Sequence, residues 1–216
     1  MSPYSIIYAD PPWNFKAWGA NENRSPKNHY VCMNIDDIYN LPVQSLAADN
    51  CVLFMWAVNP LLPEAFETIR RWGFTYKTVA FTWVKTTPKN KYHFGLGYWT
   101  RANPEICLLA TKGKISRVSA GVPNLQVHQV REHSRKPDEI RSEIVKLLGD
   151  LPRIELFARQ RVAGWDVFGN EVEGSIRLPT KHAPDVWDSS ASTGIILPSE
   201  VSASQADSNP AHTQVM

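Results

Sequence analysis

Near the N-terminus, Asp10-Pro11-Pro12-Trp13 bring together a carboxylate, two residues without a backbone N–H and an indole. The carboxylate and the Pro11 carbonyl are acceptors, and the dipeptide has no N–H of its own to compete for them. Trp13 adds a flat aromatic face. The plainer alternative is a Pro-Pro turn whose tryptophan lids the core. A second stretch, residues 84–117, holds seven Lys and Arg against the single acid Glu105. It is interleaved with Tyr92, Phe94, Tyr98 and Trp99 and carries Gly95 and Gly97. Cations for phosphates, aromatic faces for splayed bases and glycines for mobility suit a surface that meets nucleic acid. The alternative is an ordinary solvated loop. His29, His93, His128 and His133 lack a metal-ligand spacing, and no metal is expected.

The elements that must position these residues follow from periodicity. Residues 4–9 (YSIIYA) are β-branched and aromatic, and the prolines stop them, so the tetrapeptide sits at a strand's carboxyl end. In open α/β sheets that edge binds ligands. Next come a short helix IDDIYNL capped by Asn34, the strand CVLFMWAV (51–58), and the amphipathic helix PLLPEAFETIRRWG (60–73) with proline in its first turn and a glycine stop. Strands are expected at 76–84, 105–111 and 126–130, a helix at 137–149, and strands at 153–158 and 165–169. Strand and helix alternate, which predicts an α/β sheet of largely parallel strands with helices on its faces. The link between 158 and 165 is too short for a parallel crossover. WDVFG is therefore expected to pair antiparallel or to arrive by an irregular link.

The 216 residues, 43% hydrophobic and 20% charged, suffice for one well-filled domain and an appendage. No apolar run approaches a membrane span and no signal peptide opens the chain, so a cytoplasmic protein without membrane contact is expected. Cys32, Cys51 and Cys107 are odd in number and far apart, which reads as reduced core thiols. A net charge of +2 does not by itself announce a nucleic-acid binder. After Gly174 the chain turns rich in Ser, Ala, Thr and Pro without a sustained period. The domain is therefore expected over 1–174, with 175–216 a disordered tail.

Nine ordered blocks, DPPW, HYVCM, LFMWAVN, RRWGF, FTWVKT, GLGYWTRANPEICLLATKG, REHSRKPDEI, IELFARQ and GWDVFGNE, resemble the MT-A70 family. Its members are S-adenosylmethionine-dependent N6-adenine methyltransferases, and the likeness runs from about residue 4 to 171. It implies a Rossmann-like methyltransferase fold in permuted order, with the catalytic strand first and the cofactor strand, here IELFA, near the C-terminus. An exocyclic adenine amine is a weak nucleophile because its lone pair is delocalised into the ring. Acceptors for its N–H bonds favour the geometry that frees that pair. Asp10, Pro11, Pro12 and Trp13 are accordingly the catalytic set, with Trp13 as a stacking face; Asp10 and water both remain open as the final proton acceptor.

By the same resemblance Asp10, Lys136, Glu155, Arg159, Arg161, Asn170 and Glu171 are the cofactor set. Lys136 can pair with a carboxylate, and acids past a strand end can accept ribose hydroxyls. Taken singly, Glu155 and Arg159 also read as a surface ion pair. Asn14, Tyr30, Lys85, Lys89, Lys91, Tyr98, Trp99, Arg101 and Glu105 are the substrate set, while Trp56 and Trp83 are expected in the core. After IELFA the sequence ARQRVAG stands in place of a glycine-rich loop, which S-adenosylmethionine, having no phosphates, does not require. Larger relatives carry a cofactor-contacting segment before the first strand, whereas three residues precede Tyr4 here, so some of those contacts are expected to be missing. DNA is favoured over RNA as substrate. An RNA enzyme and a silent nucleic-acid-binding subunit are the alternatives, and a homo- or heterodimer is open. A third reading, methylation of a glutamine or a small molecule, is disfavoured by Asp10 and Trp13 where related folds use N-P-P-Y.

Overall fold

The computed structural model describes residues 3–14, 33–97, 99–131, 135–176 and 178. They form a seven-stranded sheet flanked by helices on both faces. The strands are β1 (Tyr4–Ala9), β2 (Ala47–Ala57), β3 (Thr75–Thr86), β4 (Glu105–Lys112), β5 (Leu125–Gln129), β6 (Arg153–Leu156) and β7 (Asp166–Phe168). The helices are α1 (Ile35–Tyr39), α2 (Leu62–Arg71) and α3 (Glu139–Leu148). In space the strands run β5-β3-β4-β2-β1-β6-β7. All neighbours pair parallel except at β4, which is antiparallel to both β2 and β3.

The largely parallel expectation therefore holds, with one reversed strand. That reversal explains why the β3–β4 and β4–β5 links carry no helix among the described residues. β4 runs opposite to β3 and to β5, which lies beyond β3, so each of these links starts and ends at the same edge of the sheet and needs no helical crossover. The last strand resolves the short-link question: β7 pairs parallel with β6, Ile154 opposite Asp166 and Leu156 opposite Phe168. Its link is irregular and doubles back through left-handed conformations at Phe157 (φ 62°) and Gly164 (φ 78°).

The core has two layers, one on each sheet face. Ile7, Ala9, Cys51, Leu53, Met55 and Ala57 pack with Ile38 of α1 and Ala65 and Ile69 of α2. The alternate residues Ile6, Tyr8, Val52, Phe54 and Trp56 pack with Ile140, Ile144 and Leu148 of α3. Period-two alternation on β1 and β2 therefore serves two cores at once, which is why both read as continuous apolar runs. Helix α1 starts where Asn34 accepts the Asp36 N–H at 3.5 Å. Helix α2 ends at Arg71, and Gly73 just beyond its cap has a φ of 83° that suits glycine. Phe66 on the same helix is 41% exposed and meets the Tyr76 ring edge-on at 4.9 Å.

Packing continues past Gly174. Ile176 and Leu178 are buried in the first core layer, and Ser175 exchanges hydrogen bonds with Val167. Two isolated apolar residues in a Ser- and Pro-rich run give no periodic signal, so the expected boundary fell short of them. Residues 179–216 lie outside the described residues. No helix among the described residues is long and apolar enough to cross a membrane.

Candidate active site

The permuted order becomes physical at the centre of the sheet. Strand β1 lies between β2 and β6, so the end of the first strand meets the end of the sixth. This is a switch point of the topology, where a crevice opens at the carboxyl ends of parallel strands. A cavity of about 230 Å³ lies there, lined by Tyr8 and Asp10 from β1, Glu155, Phe157, Arg159 and Gln160 from β6 and its link, Arg135 and Lys136 before α3, Arg141 on α3, and Glu171.

Asp10 lines this cleft one residue past the end of β1. Its Oδ2 accepts a hydrogen bond from Lys136 Nζ at 2.8 Å, and the same ammonium lies 3.3 Å from Glu105 Oε2. Glu105 Oε1 in turn lies 2.5 Å from Lys85 Nζ. Four side chains of alternating sign thus run from β1 across the sheet edge to β3. The lysines also sit over indoles, Lys136 5.5 Å from the Trp56 ring and Lys85 5.3 Å from the Trp83 ring. Trp56 and Trp83 are buried, as expected of core residues.

The ladder sets the protonation states. Burial pushes the Asp10 carboxyl up, and Lys136 opposes it. Burial would also raise Glu105, but Lys136 and Lys85 together hold it down at about 2. Burial works against the Lys136 ammonium, yet Asp10 and Glu105 keep its pKa above the ordinary value. Lys136 is therefore a fixed cation between two carboxylates.

The tetrapeptide itself is folded tightly. Pro11 and Pro12 are buried, and the Pro11 carbonyl accepts the Trp13 N–H at 2.8 Å. A carbonyl has two lone pairs, so acceptor capacity remains at Pro11. Trp13 is 3% exposed and donates its indole N–H to the Trp56 carbonyl at 2.9 Å. It packs into the core instead of presenting an open face. Asn14 follows as an exposed residue.

Deeper in the cleft the polar groups are already paired. Glu155, buried, receives a forked pair from Arg141, Nε to Oε2 and Nη2 to Oε1, each at 2.7 Å. Arg141 Nη1 also donates to Asp138 at 2.8 Å, and Asp138 is shared with Arg131, Arg135 and Gln160. The partner of Glu155 is thus Arg141, while Arg159 lies 3.6 Å from Glu171. Of the sequence-derived cofactor set, Asp10, Lys136, Glu155, Arg159 and Glu171 line one cleft. Arg161 is exposed and Asn170 half-buried, and neither is among the lining residues.

On the other side Lys85 and Glu105 join the ladder, Lys89, Lys91, Trp99 and Arg101 are exposed, and Tyr30 and Tyr98 lie outside the described residues. Sequence reasoning missed Asn103. It is buried, accepts the Lys85 N–H at 3.1 Å and donates to the carbonyls of Lys85 and His93 at 2.8 and 2.5 Å. A lone Asn-Pro before a strand reads as a turn, and nothing local shows the amide turning inward. Arg135, Arg141 and Gln160 were missed as well, because spacing alone does not tell a solvated polar side chain from one turned into a cleft.

Comparison with known proteins decides what this edge belongs to. The MT-A70 family model matches residues 4–171, from the first residue of β1 to the Glu171 that lines the cleft. The chain belongs to the MT-A70 family. It is an S-adenosylmethionine-dependent N6-adenine methyltransferase. The chain is 35% identical to the Type II methyltransferase M.MunI of a Mycoplasma species, over 82% of each chain. It is 31% identical to an N(6)-adenosine-methyltransferase MT-A70-like protein of Arabidopsis thaliana, over 82% of this chain and 25% of that one. It is 27% identical to the human N(6)-adenosine-methyltransferase catalytic subunit METTL3, over 81% of this chain and 29% of that one. The chain therefore spans about a quarter of the length of these plant and human enzymes. The MT-A70 assignment fits the cleft's own chemistry. S-adenosylmethionine carries a carboxylate, an ammonium, a sulfonium and ribose hydroxyls, and the cleft offers both signs, Arg135, Lys136 and Arg159 against Asp10 and Glu171.

Proposed function

We propose that this MT-A70 enzyme methylates adenine in DNA, with Asp10 as the residue that orients the amine. The observation that carries this is the position of Asp10, which both lines the cofactor cleft and ends the charge ladder leading to the basic β3–β4 segment. DNA is favoured because the chain matches a Type II methyltransferase over most of both lengths, whereas it matches only part of the N(6)-adenosine enzymes.

In this reading Lys136 occupies one Asp10 oxygen and opposes the upward push of burial on that carboxyl. The remaining acceptor capacity of Asp10 takes one amine N–H, and the Pro11 carbonyl takes the other. Lys136 and Arg135 face the carboxylate of S-adenosylmethionine, and Glu171 with Arg159 faces its ribose. The cofactor supplies a methyl group on a sulfonium, which needs no added acid to leave. The chain's own task is then to align the amine and to favour positive charge developing on it. Glu155 serves through Arg141, holding the cleft floor in shape. Likeness to the Mycoplasma methyltransferase supports a cytoplasmic enzyme.

The direct test incubates purified protein with methyl-labelled S-adenosylmethionine and separate pools of DNA, RNA and peptide, followed by digestion and identification of the modified unit. N6-methyladenine from the DNA pool is the expected product. Label confined to RNA would transfer the proposal to that substrate, and no label in any pool would favour a silent binding subunit.

A further inference from the structure

The most exposed large apolar side chain among those described is Trp99, 87% open to solvent. It stands on the link 87–104 between β3 and β4, which leaves the sheet beside the paired Lys85 and Glu105. The flanks of this segment are held in place. A turn closes where the Asn90 N–H donates to the Thr87 carbonyl at 2.8 Å, with Asn90 left-handed (φ 54°). The His93 N–H returns to the Lys85 carbonyl at 3.0 Å, and Asn103 ties the same carbonyl to that of His93. Further out, the Gly95 N–H donates to the Ala102 carbonyl at 2.7 Å, and Arg101 donates to the carbonyls of Phe94 and Gly95 at 2.8 Å each. Gly97 has φ 69°, and a Cβ there would lie 1.8 Å from the Thr100 carbonyl oxygen. Residues 94–97 and 100–103, on either side of Trp99, are thus tied to one another in an arch on which the indole is exposed.

An indole kept in water forgoes a large burial term, so a built arch that exposes one is shaped for a partner. The company it keeps identifies that partner's chemistry. Lys89, Lys91 and Arg101 are exposed on the same segment, together with Tyr92 and Phe94. Cations alternating with aromatic faces suit a polyanion with stackable bases better than an apolar protein groove. The arch is rooted on the residue pair that leads through Lys136 to Asp10. A base inside a duplex cannot reach Asp10 without leaving the stack, and the gap it leaves costs a few kcal/mol of stacking.

We propose that Trp99 is a wedge that enters the duplex as the target adenine leaves it and fills the vacated place in the stack. The inference rests on the DNA reading above and adds to it the residue that stabilises the extruded state. Apolar side chains inserted between base steps perform this physical role in other duplex-deforming proteins.

The test measures single-turnover methyl transfer by wild type, Trp99→Ala and Trp99→Phe on three oligonucleotides of one sequence. These are a matched duplex, the same duplex with an abasic site opposite the target adenine, and the single strand. For Trp99→Ala the expected loss on the matched duplex is about tenfold or more. That loss shrinks to about threefold or less on the other two, where extrusion is already cheap. Trp99→Phe should recover most of the matched-duplex rate. Melting curves should coincide, since the indole is exposed. Equal losses on all three substrates would overturn the wedge and leave Trp99 as a general stacking contact. No loss on any would also overturn it, as would a change in oligomeric state with activity lost throughout, which would assign Trp99 to a contact between copies. If wild type itself transfers nothing to DNA, the substrate reading fails and the wedge with it. A failure of the wedge alone shows as normal wild-type transfer without the substrate-dependent loss.

Discussion

The two flanks of the sheet's active edge follow different electrostatic plans. On the β1–β6 side the charges are paired in advance: Arg141 forks onto Glu155, Asp138 gathers Arg131, Arg135, Arg141 and Gln160, and Lys136 bridges Asp10 and Glu105. On the β3–β4 side the side chains of Lys89, Lys91, Arg101 and Trp99 are exposed. On the proposed reading the contrast follows from the ligands. A small zwitterion carries few charges and must be met by a cradle whose geometry exists before it arrives. A polyanion brings a row of phosphates with it, so its surface can remain hydrated until the two meet. Breaking the Arg141–Glu155 pair on the first flank should therefore damage the fold, whereas changes on the second should alter binding alone.

The largest effect is expected at Arg141. With Arg141→Ala the Glu155 carboxylate, 6% exposed, loses its forked partner in the core. Stranding a buried charge of this kind costs roughly 3–5 kcal/mol, readable as a lower urea midpoint. The pH dependence has a definite sign. Burial already raises Glu155, and Arg141 is the main opposing influence. Removing Arg141 raises it further, so the folded state holds the proton more tightly than the unfolded chain. The stability lost at neutral pH should return as pH falls through the folded value of Glu155. Replacing both partners, Arg141→Met with Glu155→Leu, should restore much of the stability while leaving the cofactor cleft impaired. A single variant as stable as wild type at neutral pH would show that the pair is not structural.

Asp10→Asn should produce the complementary result, a large chemical loss with little structural one. Lys136 keeps Glu105 as a partner at 3.3 Å, so the ammonium is not stranded. Burial raises the Asp10 carboxyl, so whatever stability its titration contributes is full below its unfolded value and fades as pH rises through the folded one. At neutral pH the neutral amide should therefore cost little, and melting curves should stay close to wild type. Single-turnover transfer should fall by roughly 3 kcal/mol or more, over about a hundredfold, by comparison with other lost preorganised groups. A folded and fully active variant would remove Asp10 from the proposed mechanism.

What the sequence discloses about these flanks differs for physical reasons. The strand that ends at Asp10, the apolar faces of α2 and α3 and the two chain-distant halves of the edge are legible, because periodicity and stop residues are local signals. The direction of β4 is not. A strand buried on both faces reads alike either way, and only the absence of a helix on its two links hints at reversal. The inward turn of Trp13 is equally hidden, since an indole after two prolines is compatible with a lid or with a stacking platform. The Arg141–Glu155 fork joins a helix to a strand across the core, a pairing fixed by topology and invisible to spacing. Exposed groups on the β3–β4 arch are easier to find, since cations and aromatics crowded into one segment are a compositional signal.

The smallest expected effect tests the open flank. Lys89 and Lys91 are exposed on the turn around Asn90, and Lys91 holds its place through backbone bonds with Thr87 that do not need its side chain. Lys89→Ala with Lys91→Ala should therefore leave the fold and the affinity for S-adenosylmethionine as they are. If each ammonium neutralises a phosphate, the pair displaces condensed counterions when DNA binds. The slope of log affinity against log salt should then flatten by about 0.9 for each ammonium–phosphate pair removed, up to about 1.8 for the double variant. The weakening should be similar across sequences, because phosphates carry no base information. It should also be greatest at low salt and fade as salt rises, since that is where counterion release contributes most. Titrating a labelled duplex at several salt concentrations measures slope and intercept together. Parallel lines for wild type and variant would show that these lysines do not touch the backbone, and would confine the nucleic-acid surface to the crown of the arch and the ladder beneath it.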